Sequence, residues 1–123
     1  MDLLKGNETI LVVDDSEGVR NLLSLFLKEL GYKVIEAENG QIAVDIYKQN
    51  RDLISAVLMD VVMPIKNGID ASNEIKEDYP DAIIIMITGY LSEYIDKISV
   101  ADFMQKPFSP IELVTRIRKS IDG

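Results

Sequence analysis

Residues 10–15 read ILVVDD, a run of four apolar residues that stops abruptly at Asp14 and Asp15. Continuous apolar runs rich in β-branched residues are typical of strands that are buried on both faces, as in parallel sheets. Two later runs end in the same way, residues 56–59 at Asp60 and residues 83–87 at Thr88. The pattern predicts a parallel sheet whose strands carry polar groups at their carboxyl ends.

Strands and helices are predicted to alternate along the whole chain. The predicted strands are residues 10–13, 33–37, 56–59, 83–87 and 100–104, and a segment of helical character follows each one. Strict alternation favours an α/β fold, a doubly wound five-stranded parallel sheet in the flavodoxin-like order 2-1-3-4-5 with helices on both faces. We expect a single domain over residues 1–123, with a core of about residues 8–121.

The helix ends carry recognisable signals. Ser16 is a favourable N-cap for the first helix, Gly31 marks its end, and Ser109-Pro110-Ile111-Glu112 forms a capping box at the last helix. The third and fourth helices are predicted over residues 67–79 and 91–98. On the first helix, helical spacing predicts one inner apolar face. Its members are Val19, Leu22, Leu23, Phe26, Leu27 and Leu30.

The composition excludes several classes of function. The 123 residues include 13 basic and 21 acidic ones, and the net charge of −8 argues against binding nucleic acid or an anionic membrane. The absence of cysteine and histidine excludes disulfides, thiolate metal sites and histidine bases. The longest apolar run, residues 82–87, is too short to span a membrane, and residues 1–7 lack the features of a secretory signal. We therefore expect a cytoplasmic protein.

Reactive side chains are predicted to collect at the carboxyl edge of the sheet. In the order 2-1-3-4-5 the first and third strands are neighbours, so Asp14, Asp15 and Asp60 approach one another there. Mutual repulsion of three carboxylates favours a bound cation, and their oxygen ligands suit Mg²⁺, with Mn²⁺ as the alternative ion. With Thr88 and Lys106 at the next two strand ends, the set suits a phosphoryl group transferred to an aspartate.

At this point the residues resemble a known family, the receiver domain of two-component response regulators. The resemblance covers about residues 8–121 and depends on several motifs occurring in order, each at a predicted strand end. These motifs are Asp14-Asp15, Asp60-Val61-Val62-Met63-Pro64 followed by Gly68, Thr88-Gly89, and Asp102-Phe103 before Lys106-Pro107.

The resemblance implies a role for each site residue. Asp60 is the expected phosphoacceptor, and it would bind Mg²⁺ together with Asp15 and the backbone carbonyl of Val62, whereas Asp14 would hold the metal mainly through water. Lys106 would pair with the phosphoryl oxygens and Thr88 would donate a hydrogen bond to them. Phe103 would be the switch aromatic that turns inward as Thr88 moves.

The resemblance also implies partners. The phosphodonor would be a sensor histidine kinase or a phosphotransfer protein, and the output would be a downstream protein or a fused domain reached through the fourth helix, fifth strand and fifth helix.

Val62 and Tyr90 should flank the path of attacking water, and since neither can readily orient it, slow self-dephosphorylation is expected. A weak homodimer could form through four charged residues near the expected output surface, Lys97, Asp102, Arg116 and Arg118. The alternative, which is the more common one, is that they are ordinary surface charges.

Three other functions compete with this interpretation. A flavodoxin-type small-molecule module shares the strand order, but the loop after its first strand should not be acidic. A stand-alone phosphatase with an aspartyl nucleophile typically has a second aspartate two residues later, where Val62 stands. A degenerate receiver that only binds proteins is the third. The chain length leaves open a single-domain regulator or a receiver excised from a larger protein such as a hybrid sensor kinase.

Overall fold

The computed structural model describes residues 4–89 and 103–123. These residues form five strands and four helices. The strands are β1 (Thr9–Val13), β2 (Lys33–Ala37), β3 (Ile54–Asp60), β4 (Ile84–Thr88) and β5 (Phe103–Gln105). The helices are α1 (Glu17–Glu29), α2 (Gly40–Asn50), α3 (Gly68–Asp78) and α4 (Pro110–Asp122). The helix predicted over residues 91–98 and the start of the strand predicted over residues 100–104 lie outside the described residues.

The five strands form one parallel sheet in the order β2-β1-β3-β4-β5, which confirms the predicted fold class. Val13 lies opposite Met59 across β1 and β3, so the acids that follow these two residues leave the sheet side by side. Asp60 lies opposite Ile87 in β4, and Thr88 lies opposite Gln105 in β5. The register therefore brings Asp14, Asp60 and Thr88 to one edge of the sheet.

Alternation along the strands supplies a separate apolar core on each face of the sheet. On one face, Leu11, Val57 and Met86 pack against α2 and α3 through Val44 and Ile75. On the other face, Ile10, Leu58 and Ile85 pack against α1 and α4 through Leu27 and Ile117. Helices cover both faces, as the continuous apolar strand runs predicted.

Polar side chains cap the helices as the sequence predicted. The Ser16 Oγ accepts a hydrogen bond from the Val19 amide, and the Ser109 Oγ accepts one from the Glu112 amide. Asn39 and Asn67 cap α2 and α3 in the same way. Gly31, just beyond α1, has a φ of 99°, a left-handed conformation that glycine adopts without steric cost.

The predicted inner face of α1 is partly wrong. Leu27 and Leu30 are buried and Leu23 and Phe26 pack against the core, but Leu22 is 68% exposed. Val19, at the start of the helix, is also exposed. The buried side of α1 is instead shifted toward Ser24, which is buried together with Leu27.

None of the helices formed by residues 4–89 and 103–123 combines the length and apolar character that a membrane span needs.

Candidate functional site

Three carboxylates meet at the carboxyl edge of the sheet. Asp14 and Asp15 follow β1, Asp60 is the last residue of β3, and one oxygen from each lies within 4.8 Å of the other two. Asp14 and Asp60 are buried and Asp15 is exposed, so the cluster opens to solvent on the side of Asp15. Three hard oxygen ligands at this spacing fit a divalent cation such as Mg²⁺ and leave room for water ligands.

Lys106, which follows β5, extends its ammonium group into this cluster. Its Nζ lies 3.8 Å from Asp14 Oδ2 and 3.8 Å from Asp60 Oδ1. At this distance the lysine forms ion pairs with the two acids rather than hydrogen bonds, and its side chain is 39% exposed. The lysine therefore offsets part of the negative charge of the two buried acids, and its side chain remains partly accessible from solvent.

The surroundings of Asp60 disfavour its charged form. Burial raises the pKa of Asp60 from its ordinary value of 3.8 to about 6. Lys106 opposes this shift, while the charges of Asp14 and Asp15 add to it. Its ionised form is thus poorly stabilised by the protein, which makes the carboxylate a better ligand for a cation and a stronger nucleophile.

Two turns hold the acids in place. The Ser16 amide donates to Asp14 Oδ1 at 2.9 Å, and the Asp14 amide donates to the Ala37 carbonyl at 3.2 Å. After β3, the Gly68 amide donates to the Val61 carbonyl at 2.8 Å, which folds the loop back onto the end of the strand. A Cβ on Gly68 would collide with the Asp60 carbonyl, so this close approach requires glycine.

Thr88 and Phe103 lie on neighbouring strands beside the acids. Thr88 ends β4, is buried, and its carbonyl accepts a hydrogen bond from the Lys106 amide at 2.9 Å. Phe103 is half-buried and packs against the core cluster that contains Met86, its partner in β4. Because Thr88 is two residues after Met86, strand alternation places its side chain on the same face as the Phe103 ring.

The loop between β3 and α3 exposes two apolar side chains next to the site. Val62 is 49% exposed and Ile65 is 83% exposed. Ile65 has a φ of 69°, a left-handed conformation that is unfavourable for a β-branched residue. The Lys66 carbonyl then accepts a hydrogen bond from the Gly40 amide at 3.1 Å, which ties this loop to the start of α2.

Sequence reasoning missed Arg20, which supports the site from α1. Its guanidinium Nη1 donates to the Asp14 carbonyl at 2.7 Å, and its Nε lies 3.3 Å from Glu36 Oε1. The side chain is only 14% exposed. No motif or periodicity in the sequence marked this arginine, because the contact depends on how α1 packs beside β2.

The residues weighed for a homodimer contact are only partly described. Lys97, Asp102 and also Tyr90 lie outside the described residues. Arg116 donates to the Phe103 carbonyl at 2.7 Å, and Arg118 contacts Glu8 at 2.7 Å and Asp122 at 2.6 Å. Both arginines therefore have partners within this chain, which they would need to exchange or share in a dimer.

Comparison with known proteins agrees with this geometry. Residues 10–118 match the model of the response regulator receiver domain family. The chemotaxis protein CheY of Halobacterium salinarum is 48% identical over 104 residues, which cover 80% of this chain and 84% of that protein. The autoinducer 1 sensor kinase/phosphatase LuxN of Vibrio campbellii is 42% identical over 85 residues, which cover 69% of this chain but only 10% of LuxN.

A solved structure gives the same result. The response regulator TrrA of Thermotoga maritima, in complex with Mg²⁺ and BeF, has a TM-score of 0.83 and 34% identity, covering 92% of this chain and 98% of TrrA. The chain belongs to the response regulator receiver domain family of two-component systems. This assignment favours the predicted resemblance over a flavodoxin-type module or a stand-alone aspartyl phosphatase.

Proposed function

We propose that the chain is a phosphorelay switch that accepts a phosphoryl group on Asp60. The observation that carries this proposal is the meeting of Asp14, Asp15 and Asp60 within 4.8 Å at the sheet edge, faced by Lys106. The donor would be a phosphohistidine on a sensor histidine kinase or phosphotransfer protein. Family membership and the 42% identity to a segment of a sensor kinase support a donor of this class.

The chemistry requires little more than a positioned carboxylate. An Asp60 oxygen attacks phosphorus, an oxygen–phosphorus bond forms, and the nitrogen–phosphorus bond of the donor breaks with its electron pair returning to nitrogen. With a pKa of about 6, Asp60 is mostly ionised near neutral pH and can act without a general base. Lys106, already within 3.8 Å of Asp60, would move onto the phosphoryl oxygens as charge accumulates there.

The acids are well suited to hold Mg²⁺, or Mn²⁺ in its place. Asp15, Asp60 and the Val62 carbonyl would bind it directly, and the buried Asp14 would hold it through water. The bound ion supplies positive charge that neutralises the phosphoryl oxygens during transfer. The complex of TrrA with Mg²⁺ and BeF is a precedent from a relative with the same fold.

The signal would pass from the phosphoryl group to the face formed by β5 and α4. The aspartyl phosphate carries about two negative charges in place of one, and Thr88, at the end of the neighbouring strand β4, would donate its hydroxyl hydrogen bond to it. Movement of Thr88 toward the phosphoryl group frees space on the face that Phe103 occupies. Phe103 then turns inward and alters the surface that a downstream protein or a fused output domain recognises, as a shift between two packings.

The test is phosphorylation by a small phosphodonor. Wild-type protein incubated with acetyl phosphate and Mg²⁺ should show a phosphoryl adduct by intact-mass measurement, and addition of EDTA should prevent it. Asp60→Asn should abolish the adduct, whereas Asp52→Asn, the same change at an exposed turn, should retain it. An adduct on Asp60→Asn would refute the assignment, and no adduct on the wild type would favour a degenerate receiver that only binds proteins.

Phosphoryl lifetime is a separate part of the proposal. Neither Val62 nor Tyr90 has an acidic or amide side chain, so neither can readily orient the water that would attack the phosphoryl group. Replacing Val62 with Asn and Tyr90 with Glu should therefore shorten the lifetime of the adduct. An unchanged lifetime in this double variant would contradict the role of these two positions.

A further inference from the structure

Arg20 makes two contacts that converge on the loop between β1 and α1. Its Nη1 donates to the Asp14 carbonyl at 2.7 Å, and its Nε lies 3.3 Å from a Glu36 carboxylate oxygen. Glu36 lies in β2 opposite Val12 of β1, two residues before Asp14. With 14% of its side chain exposed, Arg20 is held in one arrangement rather than moving freely in solvent.

The oxygen that Arg20 binds belongs to the peptide bond between Asp14 and Asp15. Rotation of that peptide would swing the Asp15 side chain relative to Asp14, and Asp15 is the exposed member of the cluster. The Asp14 side chain and amide are held by Ser16 and Ala37, so the Arg20 contact fixes the remaining polar group of this residue. A hydrogen bond from a charged donor is stronger and shorter than one between neutral groups.

We infer that Arg20 is a positioning residue for the metal site, which holds Asp14 and Asp15 in the geometry that binds Mg²⁺. This inference rests on the metal site of the proposed function. Glu36 orients the guanidinium, and the planar fork of arginine allows it to reach Glu36 and the Asp14 carbonyl together. A lysine ammonium is a compact group on a flexible stem and would engage one of the two.

The charge of Arg20 and its position act on Mg²⁺ affinity in opposite directions. A nearby positive charge repels a cation, so loss of the charge alone would make Mg²⁺ bind more tightly. Loss of a residue that orients metal ligands weakens binding, typically about 10- to 100-fold. The sign of the change in Arg20→Met therefore separates a positioning role from a purely electrostatic one.

The experiment is a Mg²⁺ titration of the full chain followed by heteronuclear NMR shifts of backbone amides. We expect Arg20→Met to bind Mg²⁺ about tenfold more weakly than wild type, and Arg20→Lys to fall between them. Arg118→Met is the matched control, because it removes a similarly buried, ion-paired arginine whose partner Glu8 lies at the opposite edge of the sheet. Equal or tighter binding by Arg20→Met would overturn the inference.

A second measurement needs no metal. Amide hydrogen exchange at Ser16 reports opening of the loop, because that amide is bonded to Asp14 Oδ1. It should be faster in metal-free Arg20→Met than in wild type and unchanged in Arg118→Met. Unchanged exchange in Arg20→Met overturns the positioning role whether or not Mg²⁺ binds, whereas failure of the wild type to bind Mg²⁺ overturns the proposed metal site.

Discussion

Removal of the Asp60 charge should stabilise the metal-free protein. The pKa of Asp60 is raised from 3.8 to about 6, chiefly by burial. The native state therefore holds this proton more tightly than the unfolded chain, and the free energy of unfolding falls as pH rises from about 4 to about 6. At about 1.4 kcal/mol for each pH unit between these two values, the free energy of unfolding falls by up to about 3 kcal/mol.

Asp60→Asn removes the titrating group while keeping nearly the same shape. At pH 7.5 in EDTA the variant should exceed wild type in free energy of unfolding by up to about 3 kcal/mol, and at pH 4 the two should nearly coincide. Urea denaturation followed by far-ultraviolet circular dichroism measures this difference, since the chain has no tryptophan. Parallel pH profiles for the two proteins would refute the reasoning, and saturating Mg²⁺ should remove the advantage of the variant.

Three further substitutions test the packing around the site. Gly68→Ala places a methyl group against the Asp60 carbonyl and should lower the free energy of unfolding by about 1–3 kcal/mol in urea denaturation, with weaker Mg²⁺ binding. Ser72→Ala should raise stability by about 1 kcal/mol, because among the described residues its buried hydroxyl has no hydrogen-bond partner; a loss of stability would reveal one. Ile65→Gly should raise the melting temperature by relieving about 1 kcal/mol of left-handed strain, and a lower melting temperature would contradict this argument.

The residues that end the strands could be predicted from sequence because their placement follows from topology alone. Once residues 10–13 and 56–59 are taken as neighbouring parallel strands, Asp14 and Asp60 have to meet at one edge. The same logic places Thr88 and Lys106. The helix caps at Ser16 and Ser109 could also be predicted from the sequence, because capping depends on residues only a few positions apart.

Features that depend on tertiary packing could not be predicted in this way. The spacing of Val19 and Leu22 showed that they share a face of α1, but the face that docks on the sheet is rotated toward Ser24 and Leu27. Helical periodicity fixes which residues lie together and not how the helix rolls onto its neighbours. The contacts of Arg20 were hidden for the same reason, since a long side chain reaches groups that are set by the packing of other elements.

The ion pairs of Arg118 bear on how α4 would move in the proposed switch. This residue lies in the last turns of α4 and joins it to Glu8, just before β1, at the edge of the sheet farthest from the acids. The C-terminal end of α4 is thus held by ion pairs, while its first turn follows the segment that carries Lys106. A structural change that starts at the acidic edge should therefore tilt α4 about its C-terminal end rather than shift it along its axis. The displacement of the helix would then be greatest near Pro110.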